Sequence, residues 1–107
     1  MQLKDKYKQI LLDIFSNYSL AGEVWAYGSR TMNTAHDGSD LDLVLVPDDR
    51  QKLPIDLLME LKEKIRDRNI PILVDLFDWA RLPESFNKNI EASYEVLYRF
   101  NTSAQID

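Results

Sequence analysis

The sequence predicts a mixed α/β (α+β) fold, a small mixed β-sheet flanked by helices. Apolar residues recur at helical spacing in several segments, and short runs rich in β-branched and aromatic residues alternate with those segments. A chain of 107 residues has room for one core, and no repeat, linker or low-complexity tract divides it. We therefore expect residues 1–107 to form a single domain with a frayed tail over 101–107.

Prolines and polar segments delimit the predicted elements. Pro47 stops a strand, whereas Pro54 and Pro83 each begin a helix. In chain order the elements are a helix over 7–18, a strand over 23–27, a polar loop over 31–39, a strand over 41–46, a helix after residue 54, a strand over 72–77, a helix after residue 83 and, as the last candidate, a short strand over 94–100.

Charge and composition exclude several function classes. The net charge is −5, and the nearest approach to a Lys/Arg cluster is Lys4, Lys6 and Lys8, which argues against a nucleic-acid-binding surface. With no cysteine and one histidine, the chain cannot form disulfides, cysteine-based zinc sites or histidine-rich metal sites. Carboxylates remain as metal ligands, and they favour Mg²⁺ or Mn²⁺. Without a signal peptide or a membrane-length apolar run, we expect a cytoplasmic protein with no membrane contact.

Three aspartates carry the first chemical signal. Because side chains alternate between the faces of a strand, Asp40 and Asp42 should project from one side, with Cα atoms roughly 6.5–7 Å apart. Such carboxylates repel each other unless they share a cation. Asp75 lies in the otherwise apolar strand over 72–77, where a lone ionised group is very unfavourable to bury. If the two strands are neighbours, the three carboxylates converge into a site for hard metal ions.

A glycine–serine pair supplies a complementary signal. Gly28 after a strand lets the backbone turn tightly and approach a phosphate, to which backbone N–H groups and the Ser29 hydroxyl can donate. Arg30 either adds a bidentate phosphate contact or ties the loop down through an acidic residue. Ser39, directly before the Asp-x-Asp pair, completes the predicted nucleotide-binding set. These residues together predict a phosphate cradle facing a carboxylate-held metal pair.

Each feature also has a purely structural explanation. Gly-Ser-Arg alone is an ordinary turn, Asp-x-Asp alone can lie at a solvated edge, and a strand aspartate can bond to backbone at a sheet rim. The order and spacing of all three features together favour a site that binds metal ions and phosphate. His36 is better explained as a solvated loop residue than as a general base, and Asp78 as a turn or helix cap. Trp25, Tyr27 and Trp79 are interpreted as core or rim aromatics.

The motifs resemble those of the minimal nucleotidyltransferases, prokaryotic members of the DNA polymerase beta-like nucleotidyltransferase superfamily. The likeness rests on Val-Trp-Ala-Tyr-Gly-Ser-Arg at 24–30, Ser-Asp-Leu-Asp-Leu at 39–43 and Val-Asp-Leu-Phe-Asp-Trp at 74–79. Many relatives have glycine where this chain has Asn33, a residue type that tolerates the left-handed backbone. The acidic and Gly-Ser positions are all filled, which argues against an inactive member.

The resemblance implies a nucleotidyltransferase fold and transfer of a nucleoside monophosphate, AMP from ATP, to an acceptor hydroxyl with release of pyrophosphate. In the family, residues matching Asp40 and Asp42 hold two divalent ions, Mg²⁺ or Mn²⁺, on the triphosphate of the NTP. The residue matching Asp75 helps to hold the catalytic metal and to deprotonate the acceptor, and Gly28 with Ser29 would bind the phosphates. Relatives are commonly encoded beside a helical HEPN-type partner in toxin–antitoxin pairs, and AMP is added to a tyrosine of that partner.

Two alternatives stay open at the level of sequence. The chain could be a non-catalytic antitoxin that acts by binding its partner, with a vestigial nucleotide pocket. It could also be a transferase that acts on a small molecule or an RNA end, although net acidity weakens the RNA version. The sequence leaves homo-oligomers and hetero-oligomers equally open.

Overall fold

The structure, a computed structural model, describes residues 3–27 and 40–100. The order of its elements agrees with the prediction, including the last strand, and a short 3₁₀ turn that was not predicted follows the third strand. In chain order the elements are α1 (Asp5–Ser16), β1 (Gly22–Tyr27), β2 (Leu41–Pro47), α2 (Ile55–Asp67), β3 (Val74–Asp78), the 3₁₀ turn (Trp79–Arg81), α3 (Glu84–Ala92) and β4 (Tyr94–Arg99).

The four strands form one sheet in the order β3–β2–β1–β4. Strand β1 pairs antiparallel with β2 and with β4, whereas β2 pairs parallel with β3. Parallel neighbours need a crossover connection, and α2 supplies it. The sheet is therefore mixed, which confirms the predicted fold class. The strands that carry Asp42 and Asp75 are neighbours, the condition on which the predicted convergence of carboxylates depended.

The sheet is covered on both faces, so β2 is a nearly continuous apolar run rather than an alternating one. Odd-numbered residues of β2 pack against α1 and α2 in the larger core, and even-numbered ones pack towards α3 and the 3₁₀ turn. The larger core includes Leu11, Phe15, Leu41, Leu43, Leu45, Leu58, Leu61 and Leu76. The smaller core consists of Trp25, Tyr27, Val44, Val46, Trp79 and Ile90.

Helices α1 and α2 are also joined at their solvent-facing side. The Tyr18 hydroxyl, just after α1, donates to the Glu60 carboxylate at 2.6 Å, and burial followed by Glu60 raises the pKa of Tyr18 to about 12. Arg68 forms a salt bridge of 3.2 Å with Asp13. Both helices are short and amphipathic, and no helix within residues 3–27 and 40–100 is long and apolar enough to cross a membrane.

Gly22 begins β1 at a point where two backbones nearly touch. Its φ is +156°, and a Cβ atom built there would collide with the Val46 carbonyl oxygen and lie 2.8 Å from the Pro47 Cα. Gly22 is the register partner of Pro47, so this close approach belongs to the pairing of β1 with β2. Only glycine fits this position without moving backbone.

We therefore expect Gly22→Ala to lower the free energy of unfolding by more than about 1 kcal/mol, because the added methyl group must displace β2 backbone. Urea denaturation followed by circular dichroism measures the change. The matched control is Asn69→Ala at an exposed position, which should stay within about 0.5 kcal/mol of wild type. Equal stability of the two variants would contradict this interpretation of Gly22.

Candidate active site

Asp42 and Asp75 lie side by side on adjoining strands. They are register partners in the parallel β2–β3 pair, so their Cα atoms are about 4.8 Å apart and their side chains project from the same face. Asp40, which is exposed, directly precedes β2, two residues before Asp42. On the other side of Asp42, its register partner in β1 is Tyr27. One end of the sheet thus carries a row of polar groups across three strands.

Asp75 and Asp40 are both close enough to Asp42 to affect its ionisation. Burial is the largest cause that raises the pKa of Asp42, and the negative charges of Asp75 and then Asp40 raise it further. The pKa of Tyr27 is also raised, first by burial and then by Asp42 and Asp75, so its phenol stays neutral beside them. Among residues 3–27 and 40–100, no basic side chain forms a salt bridge with Asp40, Asp42 or Asp75, and the mutual repulsion of these carboxylates favours a bound positive ion.

The donor chemistry of this row suits a hard cation. Its ligating atoms are carboxylate oxygens, which Mg²⁺ and Mn²⁺ prefer. Within the described ranges 3–27 and 40–100, no three acidic or histidine side chains are arranged as a metal site. What the structure brings together is the register pair Asp42–Asp75, with Asp40 near enough for its charge to act on Asp42.

Aromatic side chains form the wall beside the carboxylates. Tyr27 is 7% exposed and makes an edge contact with Phe86 of α3, with ring centroids 6.0 Å apart. Trp25 contacts Trp79 edge-on at 5.4 Å and stacks on Tyr94 of β4 at 3.9 Å. The interpretation of Trp25, Tyr27 and Trp79 as core or rim aromatics is confirmed, and they hold this face of the sheet rigid.

With this geometry described, comparison with known proteins decides the family. Residues 9–103 match the family described as "Polymerase beta, Nucleotidyltransferase". A Haemophilus influenzae protein, "Probable protein adenylyltransferase MntA", is 37% identical over 92 residues, which cover 84% of this chain and 74% of that protein. The chain belongs to the minimal nucleotidyltransferases of the polymerase beta superfamily. It is an enzyme of the nucleotidyltransferase class.

A solved structure is similar in fold. The structure described as "Crystal structure of the toxin-antitoxin with AMP-PNP" superposes on this chain with a TM-score of 0.67 at 19% identity, covering 97% of this chain and 80% of that one. At this identity the likeness shows a shared fold. The fold predicted from the motifs, that of the nucleotidyltransferases, is thereby confirmed.

The predicted nucleotide-binding residues of this nucleotidyltransferase lie outside the described residues. They are Gly28, Ser29, Arg30 and Ser39; the loop residues Asn33 and His36 lie outside them as well. The chain enters this segment directly after Tyr27 and leaves it at Asp40, so both of its ends adjoin the row that contains Asp42. The phosphate-cradle hypothesis therefore stays a prediction.

Asp78 has a structural role, as the sequence indicated. Its buried carboxylate caps the 3₁₀ turn by accepting from the Ala80 N–H at 3.3 Å, and it also accepts from the Leu53 N–H at 2.9 Å. The Arg81 Nε donates to the same carboxylate at 3.2 Å, and Arg81 Nη2 donates to the Leu53 carbonyl at 2.8 Å. Asp78 therefore fastens the segment before α2 to the end of β3.

A cluster of basic residues near Asp75 was missed. Lys62 and Arg66 of α2, together with Arg68, line a cavity of about 410 Å³ that extends to Asp75. The expectation that the chain holds no Lys/Arg cluster is wrong at this place. The available signal was the i,i+4 spacing of Lys62 and Arg66, which puts them on one helix face. In the sequence, Glu63 and Asp67 lie between these basic residues, so no continuous basic run indicates the cluster.

Replacing Asp42 by asparagine should stabilise the metal-free protein at neutral pH. Because its pKa is raised, folded Asp42 binds its proton more tightly than unfolded Asp42, so ionisation opposes folding as the pH rises through the carboxyl range. The stability difference between Asp42→Asn and wild type should therefore be positive at neutral pH and shrink as the pH falls. Urea unfolding in EDTA at several pH values measures it. A variant less stable than wild type at neutral pH would contradict the repulsion between Asp42 and its acidic neighbours.

Replacing Asp78 should lower the free energy of unfolding rather than change the chemistry of the carboxylate row. Asp78→Ala removes the acceptor of the Leu53 N–H and of the Arg81 Nε, and leaves Arg81 with the Leu53 carbonyl alone, which should cost roughly 2–4 kcal/mol of unfolding free energy. Thermal and urea unfolding measure the loss, and exposed Asp67→Ala is the control of the same residue type. Wild-type stability of Asp78→Ala would show that these bonds do not hold the segment before α2.

Proposed function

We propose that this nucleotidyltransferase transfers AMP from ATP to a hydroxyl group of a partner protein, as the antitoxin of a toxin–antitoxin pair. The register pairing of Asp42 with Asp75 is the observation that carries the proposal. The adenylyl group is suggested by the 37% identity to a protein named as an adenylyltransferase, and the partner by the fold shared with a toxin–antitoxin structure. We propose a HEPN-type helical protein as the partner and one of its tyrosines as the acceptor.

In the proposed reaction, the acceptor oxygen attacks the α-phosphorus of ATP. The new O–P bond forms as the bond between the α-phosphorus and its bridging oxygen to the β-phosphate breaks, and pyrophosphate leaves with inversion at phosphorus. Asp75 takes up the proton of the acceptor hydroxyl, which its place on the sheet-edge strand allows. AMP is left on the acceptor as a phosphodiester.

The carboxylates are proposed as the metal ligands. Asp40, Asp42 and Asp75 would hold two divalent ions, Mg²⁺ or Mn²⁺, which when bound neutralise triphosphate charge and favour the ionised acceptor. Asp42 is held in place by its strand position between Tyr27 and Asp75. The neutral Tyr27 phenol adds no further negative charge beside it, and its buried ring keeps water from that side of the site.

The phosphates are proposed to lie at the turn that follows β1. Gly28 and Ser29 would donate backbone and hydroxyl hydrogens to phosphate oxygens, with Arg30 and Ser39 as further contacts. In this arrangement cations, rather than lysines, offset the charge of ATP. The net charge of −5 is then compatible with an anionic substrate.

We expect Asp42→Ala to abolish AMP transfer while the fold stays intact, because the strand loses the carboxylate at the centre of the row. The assay follows label from α-³²P-ATP into a co-purified HEPN-type partner, and circular dichroism checks the fold. The control is Asp48→Ala, just beyond the other end of β2 and exposed, which should keep wild-type activity.

Mass spectrometry of the partner separates the proposal from its main rival. Partner protein that gains AMP units with wild-type enzyme, but not with Asp42→Ala, supports transfer. A tight complex in which the partner is never modified would show that the chain acts by binding alone. Transfer by Asp42→Ala at the wild-type rate would contradict the carboxylate mechanism.

A further inference from the structure

The cavity beside Asp75, which we call the β3 cavity, differs in charge from the rest of this acidic protein. Three cationic side chains line it, those of Lys62, Arg66 and Arg68, and Asp75 is its one acidic lining residue. Within residues 3–27 and 40–100, neither Lys62 nor Arg66 forms a salt bridge. Among the described residues, the Arg68 side chain pairs with Asp13; the two side chains are 41% and 65% exposed, and such exposed pairs are weak.

Stabilisation of helix α2 does not by itself explain which residues line this cavity. Cations near the C-terminal end of α2 also favour the helix dipole, and that effect needs no ligand. The dipole does not explain why Leu73, beside these cations, is 60% exposed. A single exposed leucine is common on protein surfaces, but beside cations that form no salt bridge among the described residues it offers an apolar contact to a segment that has both acidic and apolar residues.

The sheet order puts the β3 cavity on the acceptor side of the site. The proposed phosphate-binding turn follows β1, whereas Asp75 is on β3, two strands away and therefore about 10 Å across the sheet. Asp42 on β2 lies between them. The β3 cavity extends to Asp75 at the edge of the sheet, so a segment bound in the cavity ends beside Asp75.

The backbone of β3 offers a second means of recognition. Strand β3 is at the edge of the sheet, and among the described strands it pairs only with β2. An extended segment can add to such an edge through main-chain hydrogen bonds while its side chains enter neighbouring pockets. The exposed Leu73 directly precedes β3 at the cavity end of this edge.

We propose that the β3 cavity receives an acidic, extended segment of the acceptor protein and so guides the acceptor hydroxyl to Asp75. The inference rests on the proposed function and adds the chemistry of the acceptor's surroundings. Acidic residues of the segment pair with Lys62 and Arg66, and an apolar residue covers Leu73. A nucleic acid fits less well, because the cavity has few cations and the whole chain carries a charge of −5.

The test uses two synthetic peptides that differ only in charge. Each has one central tyrosine and one leucine, flanked by glutamates in one peptide and by lysines in the other. They are titrated into the full-length ¹⁵N-labelled protein without ATP, and amide shifts are followed by NMR. We expect the glutamate peptide to shift the signals of residues 62–68 and 70–75, and the lysine peptide to bind at least about threefold more weakly.

Charge reversal at one position sharpens the test. Arg66→Glu should weaken the binding of the glutamate peptide by about three- to tenfold and strengthen the binding of the lysine peptide, because an exposed attractive pair becomes a repulsive one. Lys88→Glu on α3 makes the same change of side-chain charge away from the β3 cavity and should leave both affinities unchanged. Affinity for Mg-ATP should be the same in wild type and Arg66→Glu.

The outcomes separate this inference from the proposed function. Equal binding of both peptides, no binding of either, or no effect of Arg66→Glu would overturn the docking inference. A single-stranded oligonucleotide that shifts the amides of residues 62–68 more strongly than the glutamate peptide would also overturn it. Charge-dependent binding of the glutamate peptide, with no AMP transfer to any acceptor, would support docking and count against the proposed function.

Discussion

The parallel pairing of β2 with β3 is the constraint on which the candidate site depends. It sets Asp42 opposite Asp75, and a shift of one residue would turn one of the two side chains towards the apolar core. The register is well specified, because Leu41, Leu43 and Leu76 of the same strands must enter the larger core on the other face. Burial on one face of the sheet thus fixes the position of charges on the opposite face.

This arrangement places like charges together at the expense of stability. Asp42 is half-buried between a buried phenol and a second carboxylate, and its raised pKa is the sign of that strain. The stabilising contacts are elsewhere, in the two apolar cores and in the bonds that Asp78 makes to the segment before α2. A protein of this size can keep an electrostatically unfavourable row because rigid packing surrounds it.

The sequence predicted the helices and strands well. It predicted the convergence of the aspartates only on the condition that their strands are neighbours in the sheet. Alternation placed Asp42 on the face opposite Leu43, and the motifs indicated the superfamily, but local patterns do not say which strands are neighbours. The β3 cavity was missed because helical and strand periodicity does not show how the end of α2 packs beside the chain leading into β3, although all of its lining residues lie within 62–75. The roles of Gly28 and Ser29 stay predictions, since these residues lie outside the described ones.

The packing of the aromatic wall has an optical consequence. The chain has two tryptophans, Trp25 and Trp79, and their rings are in contact on the same face of the sheet as Asp42. Ring transitions this close couple, so tryptophan emission and the tryptophan bands of the near-ultraviolet dichroism report on this face of the sheet. Tyr27 joins the tryptophan cluster to the carboxylate row, which makes the native chromophores an internal, label-free indicator of events at that row.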